Sequence, residues 1–510
     1  MVSTRRAPVG WLRFRAPVAA ALVAVMAAGA GVWLLAGTAS DLSRRHVVVG
    51  GVPLDEVHPS GAPAGERRPG VVVAHGFAGS ARLMTQFGDT LSARGYVVVL
   101  LDFSGHGANT RPLPDGTASN DVSTTVLQRD LDVATTHLRG LPDVDPSRVA
   151  VVGHSMGATA VIRYALVHPE VTATVAISLP DSSYVQPDRP ARLLLLVGGV
   201  EFAGFRAAAE RAVEHGGSGR SAVVVVGVEH ISILYAPRTH REIVTWLDDS
   251  FGGPIVVHPM PSPMRRLSAA GLLLLSLLVG LYPVARLVLG DGPPSWPPFA
   301  VPQIGRITAV AAVAAVVAML VAPIAPTIRL PLALGGFVVG FTTAAGAAML
   351  AYQRWRGGTF SASAPLARPR GLRLAVATPL LIGYAAVTIA VPLHLGLTHA
   401  IPVGARWWLL AFVWAGFAVL AYAAERVAGG NSFGVLAVSA VAVSALACAA
   451  VVGLTSSFLL LVVPLLAVLL LWQAIWSAVL HRFSAPPWLI SLVGSLLVAW
   501  PIATALPVIG

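Results

Sequence analysis

The sequence predicts an α/β domain, built on a doubly wound and mostly parallel sheet, joined to an all-α polytopic transmembrane bundle. Three observations carry this: segregated acidic residues, alternating strand-like and helix-like segments, and a series of apolar stretches of bilayer length. Of the 24 Asp and Glu in 510 residues, 22 lie between Asp41 and Asp249, and only Asp291 and Glu425 fall elsewhere. With 55% hydrophobic and 12% charged residues, the chain must place much of itself in lipid. The expected divisions are 1–40, a cytoplasmic segment and anchor; 41–252, the α/β domain; 253–266, a linker; and 267–510, a bundle of about eight helices.

Each element can be justified in order. Arg5, Arg6, Arg13 and Arg15 precede an apolar run from about Pro17 to Gly37. The run is long enough to span a bilayer, which needs roughly 20 residues. It reads as an uncleaved anchor, with a cleaved signal peptide as the rival because small residues follow at Gly37-Thr38-Ala39-Ser40. From Leu267 onward eight apolar spans follow, near 267–289, 307–324, 331–351, 374–395, 406–424, 433–453, 457–479 and 487–508. The second is the weakest, because Pro323 and Pro326 close it early. The polar break 352–373 carries Arg354, Arg356, Arg368, Arg370 and Arg373, so the positive-inside rule makes it cytoplasmic. Counting spans back from it places 41–252 outside the cytoplasm, as does counting forward from Arg5 and Arg6. Arg265 and Arg266 fall on the outer side and disagree with the rule. The chain has no lysine, which points to a high-GC genome and hence to a bacterial cell membrane.

Between the anchors the pattern alternates. Strands are expected at His46–Val52, Val71–Ala74, Tyr96–Leu101, Arg148–Val152, Val171–Ile177, Arg192–Val197 and Ala222–Val226. Near-continuous Val, Leu and Ile suits strands buried on both faces of a parallel sheet. Helices are expected at Ala81–Arg94, Thr124–Arg139, Met156–Val167, Phe205–His215 and Arg238–Asp249. Repeated βα units predict the doubly wound class.

Composition excludes some functions. The net charge of +11 invites a nucleic-acid reading, yet 41–252 carries 18 Arg against 22 acids, and no basic stripe with interleaved aromatics appears. The excess charge flanks apolar segments, and no nucleic-acid partner is expected. The single Cys448 lies in an apolar run, can form no intrachain disulfide, and has no His or acid near it in sequence.

The chemical signal is Gly153-His154-Ser155-Met156-Gly157, after the strand Val149–Val152 and before a helix. This is a G-x-S-x-G nucleophile elbow in its required strand-turn-helix context. The turn is so sharp that the serine is strained, and Gly153 and Gly157 avoid clashes. The Ser155 hydroxyl is exposed at a helix N-terminus, which favours developing negative charge. A second signal is His75-Gly76-Phe77 after Val71–Val73, and a third is Asp102-Phe103-Ser104-Gly105-His106-Gly107 after the next strand.

With these motifs residues 45–252, about two fifths of the chain, resemble the α/β-hydrolase superfamily of serine hydrolases. The resemblance implies backbone oxyanion donors at Phe77 and Met156, where one lost donor typically costs roughly 10²–10³ in rate. His75 is then a structural loop residue. The order Ser, acid, His puts the base late. His230, just past the last strand, matches its position. His154 points elsewhere, His106 belongs to the fourth-strand loop, His215 ends a helix and His240 is expected to face solvent. The acid falls after the preceding strand, in Gly198-Gly199-Val200-Glu201, where the family usually has Asp. Glu201 is the match, with Asp181 in Leu179-Pro180-Asp181 as the alternative, and Glu229 is too close to the base in sequence.

The expected reaction is attack by Ser155 on an ester carbonyl, deprotonated by His230, through an acyl-enzyme. The leading reading is a membrane-anchored serine esterase acting on a small-molecule or lipid ester. The alternatives are an acyltransferase with the same triad and an envelope acceptor, and a transport or scaffold protein with an inactive hydrolase-like domain. Only about a dozen residues, Pro180–Ala191, separate the sixth and seventh strands, so no helical lid is expected there, and the polar loop Asn109–Asn120 would shape the pocket mouth. No cofactor and no metal is implied: His394 and His399 bracket a span end without a carboxylate or Cys. Membrane lipids are expected partners, and the oligomeric state is open. In the bundle Glu425 and Arg426 sit at a span end, and Arg286, Arg306, Arg329 and Arg406 can snorkel. The bland expectation is an anchoring bundle packed through small residues, and the sharper one is that it presents a lipid-linked substrate.

Overall fold

The computed structural model describes residues 9–37, 42–59, 66–114, 121–214, 216–217, 219–253, 260–290, 301–357 and 371–510. His215, residues 115–120 of the polar loop, Arg5, Arg6, Arg368 and Arg370 lie outside them. The chain forms two compact units. One is Gly31–Ala270 with Leu393–Ala405 and Ala505–Gly510; the other comprises Gly271–Pro392 and Arg406–Thr504 with the first helix up to Ala30.

The first unit is built on an eight-stranded sheet of order β1-β2-β4-β3-β5-β6-β7-β8. Its strands are β1 (Leu42–Val49), β2 (Val52–Pro59), β3 (Arg68–Ala74), β4 (Val97–Leu101), β5 (Val144–His154), β6 (Ala173–Ile177), β7 (Leu193–Gly198) and β8 (Arg220–Val225). The first two form an antiparallel hairpin, β2 runs antiparallel to β4, and the rest is parallel. The expected single strand at His46–Val52 is thus half of a hairpin. Gly50 and Gly51 both take positive φ, 54° and 78°, as a two-residue turn between antiparallel strands requires. The partner strand escapes a sequence reading because Asp55, Glu56 and His58 interrupt it. Glu56 is buried all the same, since His137 Nε2 (2.8 Å) and His58 Nε2 (3.3 Å) reach its carboxylate.

The period of two along each strand sorts side chains to two cores. Val71 and Val73 of β3 pack on one face with Phe87 and Leu91 of α2 (Thr85–Ala93) and with Ile243 and Leu247 of α6 (Pro237–Phe251). Val72 and Ala74 pack on the other with Leu127 and Leu131 of α3 (Asp121–Gly140) and Val161 and Tyr164 of α4 (Met156–Val167). Further along, α5 (Ala203–Glu214) lies on β7 and β8, with Ala209 and Ala212 in one core cluster with Leu195 and Val197 of β7. The chain leaves β3 for β4 on one side and returns to β5 on the other. The C-terminal ends of β3 and β5 therefore flank the switch point where such sheets bind ligands. His240 is buried inside α6, not facing solvent. Its ring stacks on Phe87 at 4.3 Å, Nδ1 is 2.8 Å from Thr90 Oγ1, and Nε2 is 2.9 Å from the Leu234 carbonyl.

Arg265 and Arg266 both have local partners. Arg266 Nε donates to Asp89 Oδ2 at 3.0 Å, and Arg44 also pairs with Asp89. Arg265 Nε donates to the Leu34 carbonyl at 2.9 Å, near the C-terminal end of α1 (Val9–Ala36), where carbonyls lack intrahelical partners.

Each apolar span appears as a helix: α7 (Arg265–Leu289), α8 (Val301–Val321), α9 (Gly335–Trp355), α10 (Gly371–Gly396), α11 (Arg406–Ala428), α12 (Ser432–Val451), α13 (Leu459–Arg482) and α14 (Pro487–Ala505). With α1, nine described helices are long and apolar enough to cross a membrane. Val25 and Met26 of α1, Leu320 of α8 and Leu372 of α10 are exposed, as expected of surfaces that face lipid tails. Single 3₁₀ turns, Ala322–Ile324 and Pro326–Arg329, close α8 at its two prolines. Small residues bring α9 and α11 together: a Cβ on Gly346 would lie 2.7 Å from the Val419 carbonyl oxygen.

Two charges behave differently from expectation. Arg406 is buried rather than snorkelling, with Nη1 donating to the Ala503 carbonyl at 2.8 Å. Glu425 is 3% exposed and accepts from Ser477 Oγ while bonding His481 Nε2, both at 2.5 Å. Proximity to a span end did not keep it in water, because α13 supplies two polar partners one helical turn apart.

Candidate active site

The site grows from the elbow. Ser155 links β5 to α4 with φ 54° and ψ −114°, a conformation L-residues avoid. Backbone packing holds it there. A Cβ on Gly153 would lie 2.2 Å from the Gly157 carbonyl oxygen, and one on Gly157 would lie 2.5 Å from that of His75. Elbow and β3 thus meet backbone to backbone, which only glycine permits. A Cβ on Gly76 would come within 3.1 Å of Ser155 Cβ, so the His75-Gly76-Phe77 loop lies directly against the serine.

His230 follows β8 and brings Nε2 to 3.1 Å from Ser155 Oγ. Ser155 and His230 are each 7% exposed, shielded yet open to solvent. Phe205 packs on the imidazole with ring centroids 4.8 Å apart. Behind it, Glu201 Oε2 stands 3.6 Å from His230 Nδ1. That separation exceeds a hydrogen bond. The other carboxylate oxygen is fixed by Ser178 Oγ at 2.5 Å and the Gly198 N–H at 3.0 Å. Asp181, the alternative acid, is exposed and turned to its own loop, bonded to the Ser183 N–H (3.1 Å) and Oγ (2.5 Å). Glu229 caps the next turn through the Ile231 and Ser232 N–H groups.

Two further histidines near the serine bond backbone groups. His75 Nδ1 bonds the Gly76 carbonyl at 2.8 Å and Nε2 accepts from the Phe103 N–H at 3.2 Å, which fixes the Nδ1–H tautomer. Burial lowers its pKa to about 4. His154 donates from Nε2 to the backbone carbonyl of His230 at 2.9 Å, and burial, then neighbouring His230, hold it well below the ordinary imidazole value. Asp102 organises the fourth-strand loop by accepting from the Ala81 (2.7 Å) and Ala108 (2.8 Å) N–H groups. Its burial raises the carboxyl pKa to about 6. Two residues escaped the sequence reading. Ser178 sits at φ 54° at the end of β6, and only strand order brings it beside β7 and Glu201. His154 points away from the Ser155 hydroxyl, as expected, but its bond to the His230 carbonyl, which anchors the segment carrying His230, has no signal in the sequence.

The connection 178–192 contains no helix or strand, so nothing helical covers the site from there. His394 and His399 touch edge to face, 5.1 Å between ring centroids, and among the described residues no three His, Cys, Asp or Glu side chains group as a metal site would.

Residues 65–200 match the family model described as serine aminopeptidase, S33. An uncharacterized protein of Mycobacterium tuberculosis is 31% identical over 140 residues, which is 26% of this chain and 46% of that protein. The chain thus spans about half the length of the curated relative it matches. Among solved structures, a hypothetical protein from Pseudomonas aeruginosa aligns at 15% identity and TM-score 0.36, covering 42% of this chain and 95% of its own. Dienelactone hydrolase from Anabaena variabilis aligns at 21% identity and TM-score 0.34, covering 42% of this chain and 98% of its own. The family match and the sheet order agree that this chain carries an α/β-hydrolase domain, fused to a region of long apolar helices.

Proposed function

We propose that this chain is a membrane-anchored serine hydrolase cleaving esters with an apolar acyl or lipid portion. The observation that carries the reading is His230 Nε2 at 3.1 Å from Ser155 Oγ on a strained elbow. His230 takes the Ser155 proton as Oγ attacks the carbonyl carbon, and the Phe77 and Met156 N–H groups stabilise the oxyanion. The acyl-enzyme forms as His230 protonates the leaving oxygen, and water activated by the same imidazole releases the acid. Glu201 orients the imidazole and stabilises its charged form.

An apolar substrate is supported by the rim. Val200 (66%), Phe202 (60%) and Val226 (78%) are exposed on the loops that carry Glu201 and lead to His230. Large apolar groups left in water beside a polar site favour a substrate that covers them. The family description favours a second reading, cleavage of an N-terminal amide. A fluorophosphonate probe should label the wild-type chain in membrane fractions and not Ser155→Ala. Turnover of medium-chain p-nitrophenyl esters above aminoacyl p-nitroanilides supports the ester reading, and the reverse order replaces it. Absence of labelling in wild type removes the catalytic reading.

The domain is proposed to face away from the cytoplasm. Gly31–Ala36 of α1, Arg265–Ala270 of α7, Leu393–Gly396 of α10 and the segment after α14 all belong to its unit. Alternation along nine spans puts those four ends on one side, opposite the arginine-rich break. A membrane-impermeant fluorophosphonate should therefore label intact cells of a single-membrane host. Labelling only after permeabilisation would reverse the orientation.

A further inference from the structure

Two segments from the helical region are built into the hydrolase unit, and both end on loops around Phe77. The first is the turn after α10. Thr398 Oγ1 lies 2.9 Å from Ser80 Oγ, which also accepts the His399 N–H at 3.0 Å. Ser80 and Thr398 are both buried, so these polar groups satisfy one another away from water. One turn further, Arg82 Nη1 donates to the His394 carbonyl at 3.2 Å. The second segment is the end of the chain after α14. Val508 donates to the Gly105 carbonyl at 2.8 Å and accepts from Leu113 at 2.9 Å, while Gly510 donates to Leu113 at 3.2 Å. A parallel bridge pairs Leu113 with Ile509. The approach is so close that a Cβ on Gly105 would lie 2.5 Å from the Val508 carbonyl oxygen.

The two anchored loops are themselves tied together. The Asp102 carboxylate holds Ala81 from one and Ala108 from the other. The His106 ring lies 5.1 Å from that of His75 and 6.2 Å from that of Phe77. Ser80, fixed by the first segment, is three residues from Phe77 and starts the turn in which Leu83 donates to its carbonyl at 3.0 Å. Residues 398–399 thus hold the loop carrying Phe77 through Ser80, and residues 508–510 hold the neighbouring loop that Asp102 ties to it.

We infer that Thr398, with the His399 backbone, and the segment 508–510 are positioning elements for the Phe77 loop, so that the hydrolase site is complete only when both are seated. The inference rests on the reading of Ser155 as nucleophile and Phe77 as an oxyanion donor. Complete loss of such a donor typically slows a reaction by roughly 10²–10³. Partial misplacement through Thr398→Val is expected to lower the rate constant for fluorophosphonate labelling of the full chain by about tenfold, and a chain ended after Ala505 by more. On a p-nitrophenyl ester kcat should fall with KM unchanged, because the contact matters only as the oxyanion develops. Thr398→Ser, which keeps the hydroxyl, should restore the rate. A folding defect would look different: fewer labelled molecules, each reacting at the wild-type rate. That result, or wild-type rates in both variants, overturns the inference while Ser155 labelling of wild type stands. Failure of wild type to label overturns the catalytic reading and the inference with it.

Discussion

The Oε2 atom of Glu201 stands 3.6 Å from Nδ1 of His230, and neither atom has a hydrogen-bond partner among the described residues. Two buried polar atoms in that position gain from approaching each other by a few tenths of an ångström. Catalytic hydrogen bonds are often long in unliganded sites and tighten as the reaction proceeds. Glu201→Gln keeps the shape and presents an amide where a carboxylate is needed, so the imidazole loses its orienting acceptor. A loss of roughly 10²–10⁴ in kcat is expected, with KM little changed. Asp181→Asn should leave ester turnover at the wild-type level. Equal losses in the two variants would move the acid away from Glu201.

Ser178 holds the other oxygen of that carboxylate at 2.5 Å. A hydrogen bond to a charged group contributes about 1.5–3 kcal/mol. Ser178→Ala should release Glu201 to swing away from His230 and reduce kcat about tenfold, which corresponds to about 1.4 kcal/mol. Unchanged steady-state turnover would limit Ser178 to a local structural role.

Buried histidines set the acid limit of the hydrolase domain. His75 and His240 titrate at about 4 in the fold against an ordinary 6.5, each through burial. The unfolded chain therefore takes up protons first as pH falls, and stability is lost between pH 6.5 and 4. His154 acts in the same direction. Asp102 acts in the opposite one, because its folded pKa is raised from 3.8 to about 6 and the folded state binds its proton first. Three imidazoles outweigh one carboxyl. From pH 6.5 to pH 5 each buried histidine should cost up to about 2 kcal/mol. Thermal midpoints of wild type and His240→Gln should converge as pH drops from 7 to 5. A gap that widens instead would contradict a neutral, buried His240.

Within the helical unit the Glu425 carboxylate is held by Ser477 and His481 of α13. Removing one partner leaves a buried carboxylate oxygen without its hydrogen bond, which costs about 1–3 kcal/mol. His481→Ala should lower the thermal midpoint of the detergent-solubilised chain by a few degrees. The double change Glu425→Leu with His481→Leu should recover part of that loss. Independent, additive effects would show that the pair is not coupled.

The elbow, the HG loop and the late histidine were legible in the sequence because local backbone chemistry dictates them. A strained strand-to-helix turn requires Gly153 and Gly157 at fixed offsets, and the position of His230 after the last strand follows from chain order. The β1–β2 hairpin was half legible: β1 has a β-branched run, whereas β2 carries charges whose burial depends on His58 and His137. His240 was misread because helix periodicity alone does not report that Thr90 and Leu234 await its two nitrogens. The same reason hid Glu425 and Arg406, whose partners lie on other helices.

By itself, then, the sequence determined the division into a solvated α/β part and an apolar helical part, the strand alternation and the serine–histidine pairing. These follow from hydropathy, period and turn geometry, all local properties. Only the tertiary structure decided which carboxylate faces His230, that Ser178 and His154 brace the site, that residues 398–399 bond Ser80, and that residues 508–510 bond Gly105 and Leu113. Those relations join atoms up to 403 positions apart, as between Gly105 and Val508. No local propensity encodes such contacts; packing selects them once the sheet has set its strand order.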